Sequence, residues 1–414
     1  MRILYVIPRY AQDLMGNQIH TEVIQCWQAK GVEVEVVAFA AGQREPSAEI
    51  VAGIVVHRLP LNRNIAEKGA NRLVGSVVHY PYFLGAYQQY RTFLRSHPRF
   101  DLVHMETAFP LAAMATFVPR AEHPPMAVTL PGADVMAEPA YDYGFGRYAM
   151  VRQLLHKVWR QAALLRADSR RIQQLAIRLG CPPNKVVAIP YNITDGDFPP
   201  ADAQLDTFRA ACRLQITARH GLPAAAPIVL SLSRLHPFKG VEYLVRAVPA
   251  VLKAAPETQF LIAGPSRTTP RFGDYGAYLK QLAAQQGVTE HVHLIGSVAH
   301  DEVRTYMAAS DAVVVPSVVE ALNRVAIEAA AVATPPVVTY TTGITDYMLE
   351  HGCGLVIEPQ SATSIAAALR ILLTNPLRAQ QLGQNGPAMA ATFRSQAIAE
   401  ELLAAYQAVV SASV

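Results

Sequence analysis

The chain has 414 residues, 51% of them hydrophobic, enough to fill more than one core, since single cores stop growing near roughly 250–300 residues. Its balance of 36 Lys+Arg against 32 Asp+Glu gives +4, which excludes a dedicated nucleic-acid binder unless the cations cluster. Four cysteines, Cys26, Cys181, Cys212 and Cys353, lie far apart with no CxxC, which excludes a disulfide framework or zinc cluster and fits a reducing compartment.

The opening run RILYVI (2–7) reads as a strand. It is too short for a signal h-region and runs into Pro8 and Arg9 rather than a small-residue cleavage site. No window reaches the roughly 18 uninterrupted apolar residues of a membrane span. The expected location is cytoplasmic, at most peripheral on the inner membrane surface. Further apolar runs follow at VEVEVVAF (32–39), IVVHRL (54–59), DLVHM (101–105) and MAVTL (126–130), separated by amphipathic stretches. Such runs demand burial on both faces and predict parallel strands joined by helices.

Residues 1–181 hold 20 Lys+Arg and 14 Asp+Glu, a charge of +6 that leaves −2 for the remainder. The excess concentrates in GRYAMVRQLLHKVWRQAALLRADSRR (146–171), which reads as a basic amphipathic helix. Such a helix serves either as half-buried scaffold or as a contact for anionic lipid.

The segment 181–204, rich in Pro, Asn and Asp, reads as an interdomain connection. Within it Asp195-Gly196-Asp197 reproduces an Asp-x-Asp metal motif but reads as a solvated turn, away from any strand end. A second strand series begins at PIVLSLS (227–233) and continues through TQFLIAG (258–264), VHLIG (292–296), AVVVPS (312–317) and PVVTY (336–340). Helices are predicted over 242–255, 301–310 and 395–410, the last behind a Ser395 cap. The expected domains are 1–181 plus 393–414, and 182–392, both doubly wound α/β units. Ligands of such folds bind at the carboxyl ends of the strands, in the cleft between two such domains.

Two stretches carry chemistry. SVVEALNRVAIE (317–328) sets Glu320 and Glu328 eight residues apart; with 19 glutamates in the chain, spacing alone is weak, and Glu350 and Glu358 repeat it without a helix between them. Context separates the pairs. Glu320 follows a buried strand, Asn323 offers an N-cap, and Arg324 to Ala333 favours helix before Pro335 and Pro336 stop it. A helix N-terminus there favours an anion, and carboxylates beside an anion need hydroxyl donors, such as those of a sugar or ribose. In SLSRLHPFKGVEYL (231–244), Arg234 and Lys239 flank a turn after a strand and could clamp a diphosphate. His104 and Glu106 follow another buried strand with no third ligand at a metal spacing, so His104 reads as structural.

These residues carry a resemblance. SRLHPFKGVEYLVRAV and EALNRVAIEAAAVATPPVV resemble the lysine-glycine segment and the glutamate-x7-glutamate signature of the family 4 retaining glycosyltransferases, and FLIAGPS (260–266), VHLIGSVAHDEVRTYMAASDAVVVPS (292–317), GITDYMLEHGCGLVIEP (343–359), DLVHM (101–105) and KVVAIPYN (185–192) follow in that family's order. The resemblance implies a GT-B fold, two Rossmann-like domains facing across a cleft with a last helix crossing back to the first, and transfer of a sugar from a nucleotide-diphosphate sugar to a hydroxyl acceptor. It implies that Arg234 and Lys239 bind the diphosphate, Glu320 the donor sugar and Glu328 the ribose diol. It places the backbone of Leu322, Asn323 and Arg324 near the sugar and phosphates, Gly16 near the donor, and Gly296, Ser297 and Val298 at the nucleobase. No cofactor or resident metal is expected, and no nucleic acid.

The sequence departs from the family at Gly16-Asn17, at Pro131-Gly132-Ala133-Asp134 in place of a histidine-glycine run, at Ala321-Leu322-Asn323 in place of a glycine-rich turn, and at Tyr191-Asn192-Ile193-Thr194. The aromatic stretch 79–93 with Tyr141, Tyr143 and Tyr148 fits either an acceptor surface or core packing. A sugar-nucleotide epimerase or phosphorylase of the same architecture, or a non-catalytic sugar-nucleotide-binding protein, are the rival functions; the match at 234–239 with 320–328 favours transfer.

Overall fold

The structure is a computed structural model that describes residues 1–11, 16–61 and 64–412. It divides into two compact units, Met1–Tyr191 with Ser395–Val414, and Asn192–Arg394.

In the first unit the strands are β1 (Arg2–Ile7), β2 (Glu33–Ala40), β3 (Ser47–Val51), β4 (Ile54–Pro60), β5 (Leu102–Met105), β6 (Met126–Leu130), β7 (Leu164–Ala167) and β8 (Val186–Ala188). Their order in the sheet is β3-β4-β2-β1-β5-β6-β7-β8. All neighbours are parallel except β3, which runs antiparallel on β4 at the edge. The chain builds outward from β1 to one side and then returns to build β5 through β8 on the other. Tyr5, Val36, Val56 and Leu102 are buried between layers of helix, as parallel strands require.

The last helix, Ser395–Ser411, packs on Gln18–Ala29 in this same unit. Its Ile398, Ala399, Leu402 and Tyr406 are buried, and the Trp27 Nε1–H donates to the Ala399 carbonyl at 2.8 Å. The return of the C-terminus is therefore held by an apolar stripe together with polar ties such as this indole bond and the Lys30–Glu400 ion pair at 2.7 Å.

Two expectations are corrected here. The first crossing falls after Tyr191 rather than at residue 181, because Val186–Ala188 adds to the sheet edge as β8, with Val186 opposite Leu165. The return falls after Arg394 rather than at 392. Secondly, 146–171 is not one helix: it contains Ala149–Gln161, then β7, then the start of Arg170–Arg178. Val151, Leu154, Leu155, Val158 and Trp159 are buried, so the apolar stripe that a lipid would need is turned into the unit. Arg166 is buried too, donating to the Ile189 and Pro190 carbonyls at 2.9 and 2.5 Å.

In the second unit the strands are β9 (Ile228–Leu232), β10 (Gln259–Ala263), a small hairpin of β11 (Thr268–Thr269) and β12 (Gly273–Asp274), β13 (Val292–Gly296), β14 (Ala312–Val315), β15 (Pro336–Thr339) and β16 (Leu355–Ile357). The main sheet is parallel in the order β13-β10-β9-β14-β15-β16. From β9 the chain runs out through β10 and β13, then crosses back to β14 on the other side. The switch point thus lies between β9 and β14. Val229, Leu244, Val248, Phe260, Ile262 and Val314 fill the core beneath it, each at most 1% exposed.

Tyr406 stacks edge-on against Trp27 at 5.5 Å, and its hydroxyl lies 2.6 Å from His104 Nδ1. Tyr406→Ala should therefore cost about 3–5 kcal/mol and Tyr406→Phe only about 1–2 kcal/mol, read from urea unfolding. Equal and small effects would show that the last helix is not docked through this residue.

Candidate active site

The turn after β9 carries Arg234, exposed, and Lys239, the last residue of a short 3₁₀ turn, Pro237–Lys239. Gly240 follows with φ +68, and a side chain there would run into the Pro316 carbonyl. Only glycine lets the β9 turn approach the end of β14 this closely. The Val318 N–H donates to the Phe238 carbonyl at 2.8 Å and fastens the two turns together.

The turn after β14 brings Glu320 to Lys239. The Lys239 ammonium donates to Glu320 Oε2, and the Ser317 hydroxyl donates to the same oxygen at 3.3 Å. The lysine and glutamate side chains are 11% and 16% exposed, so the pair is largely withdrawn from water yet reachable. The backbone of the turn is tied to the loop after β15: Gly343 N–H donates to the Glu320 carbonyl at 3.3 Å and Ile344 N–H to that of Leu322 at 3.0 Å. Leu322 is buried.

Asn323 takes φ +82, in the range that favours glycine. Its Oδ1 accepts from the Ala326 N–H at 3.0 Å, capping the helix Arg324–Ala331 as the sequence predicted. The N-terminus of that helix stands beside the ion pair, where its dipole favours an anion. One turn in, Glu328 is 6% exposed. Burial pushes its carboxyl up to about 7; the Arg324 guanidinium pulls it down and the Asp197 carboxylate pushes it further up. The control pair behaves differently, Glu350 and Glu358 both being exposed.

On the other flank, Gly264 N–H donates to the Gly296 carbonyl at 2.7 Å, joining the ends of β10 and β13. Gly296 and Ser297 are exposed and Val298 half-buried. The structure therefore assembles Arg234, Lys239, Gly296 to Val298, Glu320, Leu322 to Arg324 and Glu328 at the carboxyl ends of one sheet. Gly16 belongs to the first unit, with φ +91 and its N–H donating to Gln18 Oε1 at 3.1 Å. Asn17 beside it is buried, its amide donating to the Ala11 carbonyl at 3.3 Å.

Asp197 corrects the solvated-turn reading. It is 5% exposed and accepts from the Thr194 N–H and hydroxyl at 2.7 and 2.8 Å, closing a capping box. The Thr-x-x-Asp spacing carried that signal in the sequence. Asp195 pairs with Arg394 at 2.5 Å. Among the described residues no cluster of three or more His, Cys, Asp or Glu could hold a metal.

The first unit holds a buried polar cluster that sequence reasoning saw only in part. Glu106 accepts from the hydroxyls of Tyr5 and Tyr191 and lies 2.9 Å from His104 Nε2. Burial alone would raise its carboxyl, but His20, His104 and Arg166 outweigh that and hold it well below the usual carboxylate range. His104 stacks on Tyr5 at 4.5 Å, an internal post rather than a ligand. Of the aromatic stretch 79–93, Phe83, Tyr90 and Phe93 are core, while Tyr80, Tyr82 and Tyr87 are half-buried.

The family profile described as Glycosyl transferases group 1 matches residues 213–389, and that described as Glycosyl transferase 4-like domain matches residues 17–192. Residues 213–389 belong with the group 1 glycosyl transferases and residues 17–192 with the glycosyl transferase 4-like domains. D-inositol 3-phosphate glycosyltransferase of Kineococcus radiotolerans is 31% identical over 275 residues, 63% of this glycosyltransferase and 60% of that protein. D-inositol 3-phosphate glycosyltransferase 1 of Catenulispora acidiphila is 27% identical over 413 residues, 95% and 90% of the two chains. Sucrose-phosphate synthase from Thermosynechococcus elongatus superposes with a TM-score of 0.75 at 21% identity, covering 99% of each chain. Anabaena HepE, solved with UDP-glucose, gives 0.73 at 18% identity over 99% of this chain and 100% of that one. The GT-B fold of this glycosyltransferase follows from these neighbours and the two parallel sheets.

The raised Glu328 carboxyl has a stability consequence. Its folded value of about 7 exceeds the ordinary 4.5, so the native state binds this proton more tightly, and stability falls as pH rises from about 4.5 to 7. Glu328→Gln should leave stability unchanged near pH 4.5 and raise it by roughly 1–3 kcal/mol at pH 8. Parallel stability curves for the two proteins across that range would show that Glu328 is not buried in this way.

Proposed function

We propose that this glycosyltransferase moves a sugar from a nucleotide-diphosphate sugar to a hydroxyl acceptor with retention at the anomeric carbon. The observation that carries the reading is the Lys239–Glu320 pair at the β9/β14 switch point beside the capped helix N-terminus. A cation and a carboxylate held together there suit a ligand with a diphosphate at one end and hydroxyls at the other. Arg234, Lys239 and the backbone N–H groups at the start of Arg324–Ala331 would neutralise the diphosphate as the glycosidic bond breaks. Glu320 would accept from sugar hydroxyls and Glu328 from the ribose diol.

In the free protein Lys239 and Glu320 satisfy one another, so neither charge stands alone in its sheltered position. A bound donor gives the ammonium a phosphate oxygen and the carboxylate a hydroxyl. The balance of the reaction is simple: the bond from the anomeric carbon to the diphosphate breaks, one to the acceptor oxygen forms, and the acceptor proton leaves with the diphosphate. Neither glutamate is asked to be the acid or base. UDP-glucose, the ligand of Anabaena HepE, is the natural first probe, with GDP and ADP sugars beside it.

Thermal-shift screening of these sugar nucleotides should pick one base, since a ligand that binds only the native state raises the melting temperature. With that donor and an acceptor, Lys239→Ala and Glu320→Gln should each lower turnover by about 10²–10³ while a cooperative melt is retained. Undiminished turnover in either variant would refute the assignment.

A further inference from the structure

We propose that the helix Ile65–Val78 of the first unit docks this glycosyltransferase on an anionic lipid surface. The helix turns Asn71 and Val78 inward and leaves most of its other apolar residues outward. Its inward anchor is polar: Asn71 is 2% exposed, its amide donating to the Leu61 carbonyl at 3.0 Å and its Oδ1 accepting from the Gly85 N–H at 2.7 Å. A side chain at Gly85 would run into that carbonyl and that amide, so the neighbouring helix Phe83–Ser96 is seated tightly against this anchor.

The outward side is mostly apolar, with the exposed Ser76 hydroxyl on it turned back to the Leu73 carbonyl at 2.7 Å. Ile65, Leu73 and Val77 are 90%, 73% and 54% exposed. With Gly69 they fall at i, i+4, i+8 and i+12, one continuous ridge on an α-helix. Exposed Ala66 and Ala70 widen it on one side, and exposed Lys68 and Arg72 border it on the other. The helix holds one acid, Glu67, in its first turn and half-buried. At the carboxyl end His79 stacks on Tyr148 at 3.7 Å, beside the start of Ala149–Gln161, where Met150 and Arg152 are also exposed.

An apolar ridge bordered by cations is the pattern of a helix that lies in a lipid interface, with its side chains below the headgroups and its charges among them. Size and charge favour lipid over a second copy of the chain. The helix is ~21 Å long, so one face offers ~200 Å², well short of the ~800 Å² each partner contributes to a stable protein interface. Two copies would also bring Lys68 and Arg72 against their own equivalents.

The test is flotation of the full-length protein with vesicles of phosphatidylcholine alone and mixed with phosphatidylglycerol. The wild-type protein should float with the mixed vesicles and be released by salt. Leu73→Ser with Val77→Ser, which leaves the charge unchanged, should weaken partitioning by about tenfold or more. Lys68→Gln with Arg72→Gln should remove the preference for phosphatidylglycerol, and both variants should melt like the parent. Failure of the wild type to float overturns the proposal. So does undiminished flotation of the serine variant, which would indicate charge alone, or a lipid-free dimer that the serine substitutions dissolve.

Discussion

Strands Ile228–Leu232 and Ala312–Val315 lie side by side although some eighty residues separate them, and the chain leaves them in opposite directions. No crossover helix can roof the gap at their carboxyl ends, because each connection is committed to its own side of the sheet. The meeting of Lys239 with Glu320 follows from that opening. The two turns that border it meet at Gly240 and Pro316, the Val318 N–H locks them, and Lys239 and Glu320 face one another across the join.

The site is also electrically poised. Lys239 and Glu320 cancel within a sheltered spot, and Ser317 adds a hydroxyl to the same carboxylate oxygen. Glu328 has no such lysine. Its carboxyl is pushed up by burial and by Asp197, and it is relieved only in part by Arg324. A carboxyl kept in this condition lowers stability above neutrality. In the first unit the same physics has the opposite outcome: Glu106 is surrounded by His20, His104, Arg166 and two tyrosine hydroxyls, and serves as a structural hub.

Much of this was legible in the sequence. RILYVI, MAVTL and VHLIG coincide with β1, β6 and β13, because strands buried on both faces must be apolar throughout. Asn323 announced its helix cap. What escaped notice were elements whose identity depends on partners far away. Ser47–Val51, largely exposed, is a strand only because Ile54–Pro60 lies beside it. Leu164–Ala167 was hidden in a helix-like run because a four-residue strand has no period of its own, and Val186–Ala188 was hidden in a linker. Asp197 looked like a surface acid because its burial comes from packing rather than from its neighbours in sequence. The outward apolar ridge of Ile65–Val78 cannot be told from a buried one by periodicity, since a helical stripe does not say which side the core is on.

The site reading turns most directly on whether Glu328 gives up its proton to hold ribose hydroxyls. The decisive measurement is calorimetric titration near pH 7, in two buffers of different ionisation enthalpy, with the sugar nucleotide that most raises the melting temperature. Hydroxyls donating to the carboxylate favour its charged form, so binding should release about half a proton per donor, and Glu328→Gln should bind more weakly and release none. Tight binding with no proton released, or release that persists in Glu328→Gln, would place the ribose elsewhere and contradict the site described for this glycosyltransferase.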